Sequence, residues 1–300
     1  MNDSMDTNRI RRAFDRAAAG FAQADFLHRE IRARLLSRLP IIKIEPNWII
    51  DLGAGTGTGA QSLTEIFPES RVMALDSSTG MLAEFNSGQA GPMSVADRTP
   101  TNAMAAVCGD AGNLPINNQC IDLIFSNLLL QHCPDPITVL AEARRILRYP
   151  GVFAFTTFGP DSLRELRAAW FNVDSFTHIA PFMDMHDLGD ALIHAGFAEP
   201  VMHRESLQVT YQSLDRALVD LRGVGSINAT SDRNRGLTGQ KTWQRLTDGY
   251  EPYRNADGKL PVTIEVIYGL AWSGQADSGT PFSAGEFEIP LDDLRLFSRK

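Results

Sequence analysis

The chain has 300 residues, 43% hydrophobic and 21% charged, a composition that fits one large core with appendages or two small domains. Its net charge of −8 argues against nucleic acid as the main partner, because phosphate binding calls for a basic face. No basic start leads into a long apolar run, and no apolar stretch approaches the roughly 18 residues of a membrane span, so a cytoplasmic protein off the membrane is expected.

Residues 7–19 and 22–39 predict two helices. In the second, Phe26, Leu27, Ile31, Leu35 and Leu39 recur at helical spacing with arginines between them, and Pro40 ends the run. An α/β rhythm begins at Trp48. WIIDLG is a short apolar run closed by glycine, as a buried parallel strand should be. A helix then reaches to Phe67, RVMALD reads as the second strand, and a helix covers Met81–Phe85. Residues 87–104 are rich in Gly, Pro, Ser and Thr without periodicity and read as a surface insertion. AAVCGD and CIDLIFSN are the third and fourth strands, a helix spans Pro136–Leu147, and GVFAFTTF is the fifth strand. Strands alternating with helices imply a parallel sheet covered on both faces.

Beyond Phe158, residues 161–171 and 186–195 predict helices, with an aromatic loop from Phe176 to Phe182 between them. A strand is expected near Val201–Tyr211, helices around 213–222 and 238–250, and a last strand in VTIEVIYGLAW. That last strand is expected to close the sheet edge, which makes a monomer the default. The tail from 273 to 300 is Gly/Ser-rich and then reads EFEIPLDDL, one short edge strand. Cys108, Cys120 and Cys133 are odd in number and lack a C-x-x-C spacing. They read as small, partly buried apolar residues, with no disulfide and no metal site expected.

The most informative segment is Asp51-Leu-Gly53-Ala54-Gly55-Thr-Gly57, at the end of the first strand. Glycines at a strand-to-helix turn let the backbone approach a ligand at a helix amino terminus. Gly55 to Ala60 also fits the G-x-G-x-x-G/A pattern of dinucleotide folds. Asp51, two places before the first glycine, shifts the reading, because a carboxylate there can bridge to the ammonium of S-adenosylmethionine (SAM). Here the chain resembles motif I of class I SAM-dependent methyltransferases. Asp76, closing the second strand, stands about 20 residues on, where a carboxylate accepts ribose hydroxyls. Beside it are Ser77 and Met81, and Met81 is placed either to flank the adenine or to fill a helix core. The resemblance implies that Asp110 binds the adenine amine, that Ala111 offers its amide, and that Asn127 lines the methionine end. His132, just beyond, reads as a lining residue or a base.

Further blocks resemble the malonyl-acyl carrier protein O-methyltransferases of biotin synthesis. They are Phe14-Asp-Arg16-Ala-Ala-Ala-Gly-Phe21, SNLLLQHCPDP, FTTFGPDSLRELRAAW, LVDLRGVGSINAT, GLTGQKTWQRL and LPVTIEVIYGLAW. The resemblance implies a Rossmann-like seven-stranded α/β sheet with helices on both faces and a helical lid. The layout is a lid at 1–40 that includes Phe14, Arg16 and Phe21, a SAM-binding core at 41–211, and a lid insertion at 212–261. A final strand at 262–272 and the tail follow. The implied reaction is methyl transfer to the free carboxylate of a malonyl thioester on acyl carrier protein or coenzyme A. A carboxylic acid with a pKa near 4 is already an anion, so no catalytic base is required. Arg222 is the first candidate to bind that carboxylate, followed by Arg145, Arg204 and His132. Residues 1–40 hold eight Arg against five acids, and 212–261 hold eight Lys/Arg against six, so both lid segments could dock an acidic carrier. Three alternatives stand. One is a methyltransferase of another small molecule, such as a quinone precursor. Another is a methyltransferase-fold protein of respiratory-complex assembly or hydroxylation. The third is a dinucleotide oxidoreductase.

Overall fold

The computed structural model describes residues 5–89 and 104–275. Seven strands form one sheet: β1 (Trp48–Leu52), β2 (Arg71–Asp76), β3 (Ala105–Cys108), β4 (Ile121–Asn127), β5 (Leu147–Phe158), β6 (Phe197–Tyr211) and β7 (Leu260–Ser273). Their order is β3-β2-β1-β4-β5-β7-β6. The first five run parallel, and β7 is antiparallel to both β5 and β6.

Successive side chains of the central strands feed opposite cores, as a strand's period of two requires when both faces are covered. Ile49, Leu123 and Phe125 join one cluster with Ile31, Leu35, Leu39 and Leu63. Ile50, Ile124 and Phe153 join the other with Leu140, Ile146 and Leu192. The helices are α1 (Thr7–Ala17), α2 (Phe21–Ala24), α3 (Phe26–Leu36), α4 (Thr58–Ile66) and α5 (Thr79–Gln89), then α6 (Pro136–Ile146), α7 (Arg164–Phe171), α8 (Met185–His194), α9 (Leu214–Gly223) and α10 (Gln240–Tyr250). Three of them begin on aspartate caps: Asp6 accepts from the Arg9 amide, Asp135 from the amides of Ile137 and Thr138, and Asp184 from the His186 amide.

Several expectations change. The last strand does not close the edge. β7 is inserted between β5 and β6, and every residue from Leu260 to Gly269 is buried, as an interior strand requires. The exposed edge is β6, whose residues alternate between half-buried and exposed. The second predicted helix is broken into α2, α3 and a 3-10 turn at Leu39–Ile41 that contains Pro40. The predicted insertion gives its first residues to α5, and 90–103 lie outside the described residues, as do 276–300 of the tail. Cys108 is exposed rather than partly buried, whereas Cys120 and Cys133 are half-buried.

The lid has two unlike parts. Phe21 and Ala18 pack with Met81 and Val224, joining the amino-terminal helices and the end of α9 to α5. The Asp6 amide donates to the Ala229 carbonyl at 2.8 Å, which fastens α1 to the segment after α9. By contrast α10 packs away from this roof. Its Leu246 and Tyr250 cluster with Leu166, Ala169 and Leu260.

Candidate active site

A cavity of about 350 Å³ opens over the carboxyl ends of the parallel strands, between the sheet and α1–α3. Gly53 and Gly55 line it from the first turn, Asp76, Ser77 and Met81 from the second, Asp110 and Ala111 from the third, and Asn127 from the fourth. Phe14, Phe21 and His28 close it from the lid, with His132 opposite. This is the position at which open α/β sheets bind ligands.

The glycine turn has a steric reason. Gly57 sits at φ 80, and a side chain there would strike the Phe85 ring at 1.8 Å. The turn is held by Asp76, which accepts from the Gly55 amide at 2.8 Å and, through its other oxygen, from the Ser78 amide at 2.8 Å. Burial pushes the Asp76 pKa up, while these amides pull it down. Each carboxylate oxygen has a further lone pair with which to accept from a ligand.

Asp51, Ala54 and Gly57 are not among the residues that line the cavity. Asp51 is 2% exposed, and one of its oxygens has no partner. Burial pushes its pKa up to about 7, against the nearby Arg32 guanidinium and the Ala60 amide. Arg32 is itself buried and reaches Asp25 at 3.8 Å.

At the lid end, Asp15, Leu128 and His28 are features that sequence reasoning did not single out, and they join Asn127 and His132, which it did. Asp15 accepts from the Ser78 hydroxyl at 2.6 Å and from the Gly80 amide at 3.0 Å, latching α1 onto the start of α5. Leu128, the first residue past β4, holds φ 56, a left-handed backbone that non-glycine residues rarely adopt. It lines the cavity, with its amide bonded to the Thr156 hydroxyl at 3.0 Å. Asn127 accepts from Thr156 and donates to the His28 carbonyl at 3.2 Å, so it ties α3 to β4 and β5. His28 is 8% exposed. Burial, His132 and Arg32 push its pKa down to about 3. His132 packs edge-on to Phe14 at 5.0 Å, and burial pushes it down to about 4.

The arginine candidates stand elsewhere. Arg145 is spent as a brace, donating to Glu142, Asn118 and the carbonyls of Leu114 and Ile116. Arg204 pairs with Glu265 at 3.1 Å. Arg222 and Arg16 are exposed and line no part of the cavity.

The wall therefore carries Asp76, Asp110 and Asp135, with no Lys or Arg among its described residues. An acidic wall over an orphaned carboxylate suits a ligand that brings its own positive charge, and SAM carries two, on sulfur and on nitrogen. When bound it supplies a methyl group on a sulfonium, which leaves as a neutral thioether. Sheet order, glycine turn and the carboxylate that closes β2 together define a class I SAM-dependent methyltransferase. A methyltransferase-domain family model matches residues 50–155, the segment that builds most of this wall. The YcgJ protein of Bacillus subtilis superposes with a TM-score of 0.56 at 14% identity, covering 81% of this chain and 99% of that one.

The full-length relatives narrow the class. The malonyl-(acyl-carrier protein) O-methyltransferase of Nitrosospira multiformis is 42% identical, covering 89% of both chains. That of Laribacter hongkongensis is 43% identical, again over 89% of both. The chain belongs to the malonyl-(acyl-carrier protein) O-methyltransferase family, and it is a SAM-dependent methyltransferase.

Proposed function

We propose that the chain transfers a methyl group from SAM to the free carboxylate of a malonyl thioester held on an acyl carrier protein, at the entry to pimeloyl and biotin synthesis. The observation that carries this reading is a cavity wall whose two histidines and Asp135 are weak bases at neutral pH. Both histidines are held far below their usual value by burial, and the Asp135 carboxylate is pulled below its own by Thr138 and neighbouring amides. A hydroxyl or ammonium acceptor would need a proton removed before attack. A carboxylate needs none, because at neutral pH it is already the nucleophile. What remains for the protein is alignment and exclusion of water. Phe14, Phe21, Leu128 and Leu129 supply an apolar surround for that purpose.

In this reading Asp76 takes the ribose hydroxyls and Met81, Asp110 and Ala111 surround the adenine. Asn127 borders the methionine end, and Asp51 faces the ammonium from beneath the glycine turn. The basic segments of α1–α3 and of 212–261 face an acidic carrier. The protein acts in the cytoplasm as a monomer, in keeping with the polar character of β6 (His203, Arg204, Glu205, Ser206 and Gln208) along the free edge. The test is transfer of labelled methyl from SAM to malonyl-acyl carrier protein, with acetyl-acyl carrier protein as control. Label on the malonyl form alone is expected. Cofactor binding without label on either form would overturn the substrate assignment.

A further inference from the structure

His28 and His132 line the cavity, and each carries one buried ring nitrogen without a hydrogen-bond partner, Nδ1 in His28 and Nε2 in His132. They come from segments about a hundred residues apart in the chain, α3 and the 3-10 turn Leu130–His132. Leaving a buried polar atom unpaired costs about 1–3 kcal/mol, and native folds rarely tolerate two in one place without a use for them. The rings are nevertheless held by packing. Phe21 packs edge-on to His28 at 5.5 Å, and Phe14 to His132 at 5.0 Å. Asn127 fixes the His28 backbone through its carbonyl. Orientation is provided while the polar atoms stay unused.

An anionic acceptor entering this cavity meets no guanidinium or ammonium among the described lining residues. Arg145 and Arg204 are committed to Glu142 and Glu265, and Arg222 lies outside. We propose that His28 and His132 together form the seat of the acceptor carboxylate, each imidazole giving one N–H to one carboxylate oxygen. The inference deepens the carboxylate-methylating reading and rests on it.

Uncharged donors suit the chemistry better than a cation would. As the carboxylate oxygen bonds to the methyl carbon and the carbon–sulfur pair leaves with sulfur, the negative charge on the acceptor disappears. A guanidinium would hold the ground state more tightly than the transition state, and that difference slows the reaction. Neutral imidazoles fix geometry with a smaller penalty, and burial keeps both rings neutral at physiological pH. Selectivity follows from the same pair. An acyl end without a carboxylate leaves both nitrogens unpaired, the condition under which polar sites discriminate most strongly.

The test uses the full-length protein and the single variants His28→Leu, His132→Leu, His28→Gln and His132→Gln. Each Leu variant is expected to raise KM for malonyl-acyl carrier protein by about tenfold or more while SAM affinity by calorimetry stays within about twofold. Each Gln variant keeps an N–H and is expected to recover most of the loss. A Leu variant that binds SAM normally with an unchanged malonyl KM overturns the proposal. Should the Leu variants fail to fold, nitrogen-15 spectra of the wild-type imidazoles decide. Malonyl-N-acetylcysteamine with S-adenosylhomocysteine should move two histidine resonances, and the acetyl analogue should move neither; no malonyl-specific shift overturns the proposal. Wild type that methylates no malonyl thioester overturns the parent reading and this one with it. Wild-type activity alongside indifferent Leu variants overturns this one alone.

Discussion

The two ends of the cavity are built by different means. The cofactor end is made from consecutive strand termini, and its key bonds join neighbours in the fold: Asp76 to the Gly55 and Ser78 amides, and the Gly53 amide to the Leu75 carbonyl at 2.8 Å. The lid end is assembled from segments far apart in the chain and fastened by a few side chains, with Asp15 reaching Ser78 and Asn127 reaching His28. A site made of backbone at strand ends is rigid and demands particular residues. A site borrowed from helices can open, and it demands only that a few fasteners survive. Substitutions at the two ends should therefore differ in size and in kind.

The largest effect belongs to the cofactor end. Asp76→Ala removes the proposed ribose acceptor and also frees the Gly55 amide, so two charge-assisted bonds and a loop anchor should go together. At about 1.5–3 kcal/mol per charged hydrogen bond, SAM affinity should fall by about a hundredfold or more. Calorimetry checks this, and affinity within a few-fold of wild type would break the map of that end.

Asp51 comes next, and its signature is a pH dependence. Burial raises its carboxyl to about 7 in the cofactor-free protein. The ammonium of SAM favours the ionised form, so binding expels a proton below that pH. SAM affinity should climb as pH rises towards 7 and level off above it. Asp51→Asn should flatten the profile and cost about tenfold at pH 8. Stability of the free protein has the opposite sign. The folded state holds this proton more tightly than the unfolded chain, so this group's contribution declines as pH rises from the ordinary carboxyl value of 3.8 to about 7. A profile equally steep in Asp51→Asn would assign the titration to another group.

What the sequence shows unaided divides along the same line. Apolar runs such as WIIDL and IDLIFSN, glycines at the turn and carboxylates at strand ends are local signals, and the strand-terminus half of the site could be read from them. The lid half depends on contacts between remote segments. Nothing near His28 announces that it meets His132, and Asp15 reads as an ordinary polar helix residue until α1 is laid on α5. The strand order shows the same limit. A signal for it did exist, since VTIEVIYGLAW is apolar nearly throughout, as a strand flanked on both sides must be, while EPVMHRESLQ mixes charge in as an edge strand does. Chain order, the last strand read as the outermost, was the weaker guide.

Asp15→Ala tests the lid fasteners with a moderate effect. It removes the bonds to Ser78 and Gly80 but leaves the packing of Phe14 and Phe21 in place. The lid should then open more often, and KM for SAM should rise by about three- to tenfold with less change in kcat. Because Ser78 also bonds Asp76, a loss as large as that of Asp76→Ala would mean that the latch supports the ribose site itself, and the contrast between the two ends would narrow.

The smallest effect is expected at Arg222, the position that sequence resemblance ranks first for the substrate carboxylate. It is exposed, in the last turn of α9, and only its neighbour Val224 turns inward to pack with Phe21 and Met81. An arginine there interacts with the helix carboxyl end and with solvent, and such surface contacts are worth a few tenths of a kcal/mol. Arg222→Ala should leave KM for a small malonyl thioester within about twofold of wild type. Repeating the measurement with the malonyl group on intact acyl carrier protein separates two roles. A loss confined to the carrier-bound substrate would make Arg222 part of a docking surface for an acidic partner, with a salt dependence to match. A tenfold rise with both substrates would mean that α9 swings its carboxyl end into the cavity when substrate binds, and the uncharged seat would have to share the acceptor with a cation.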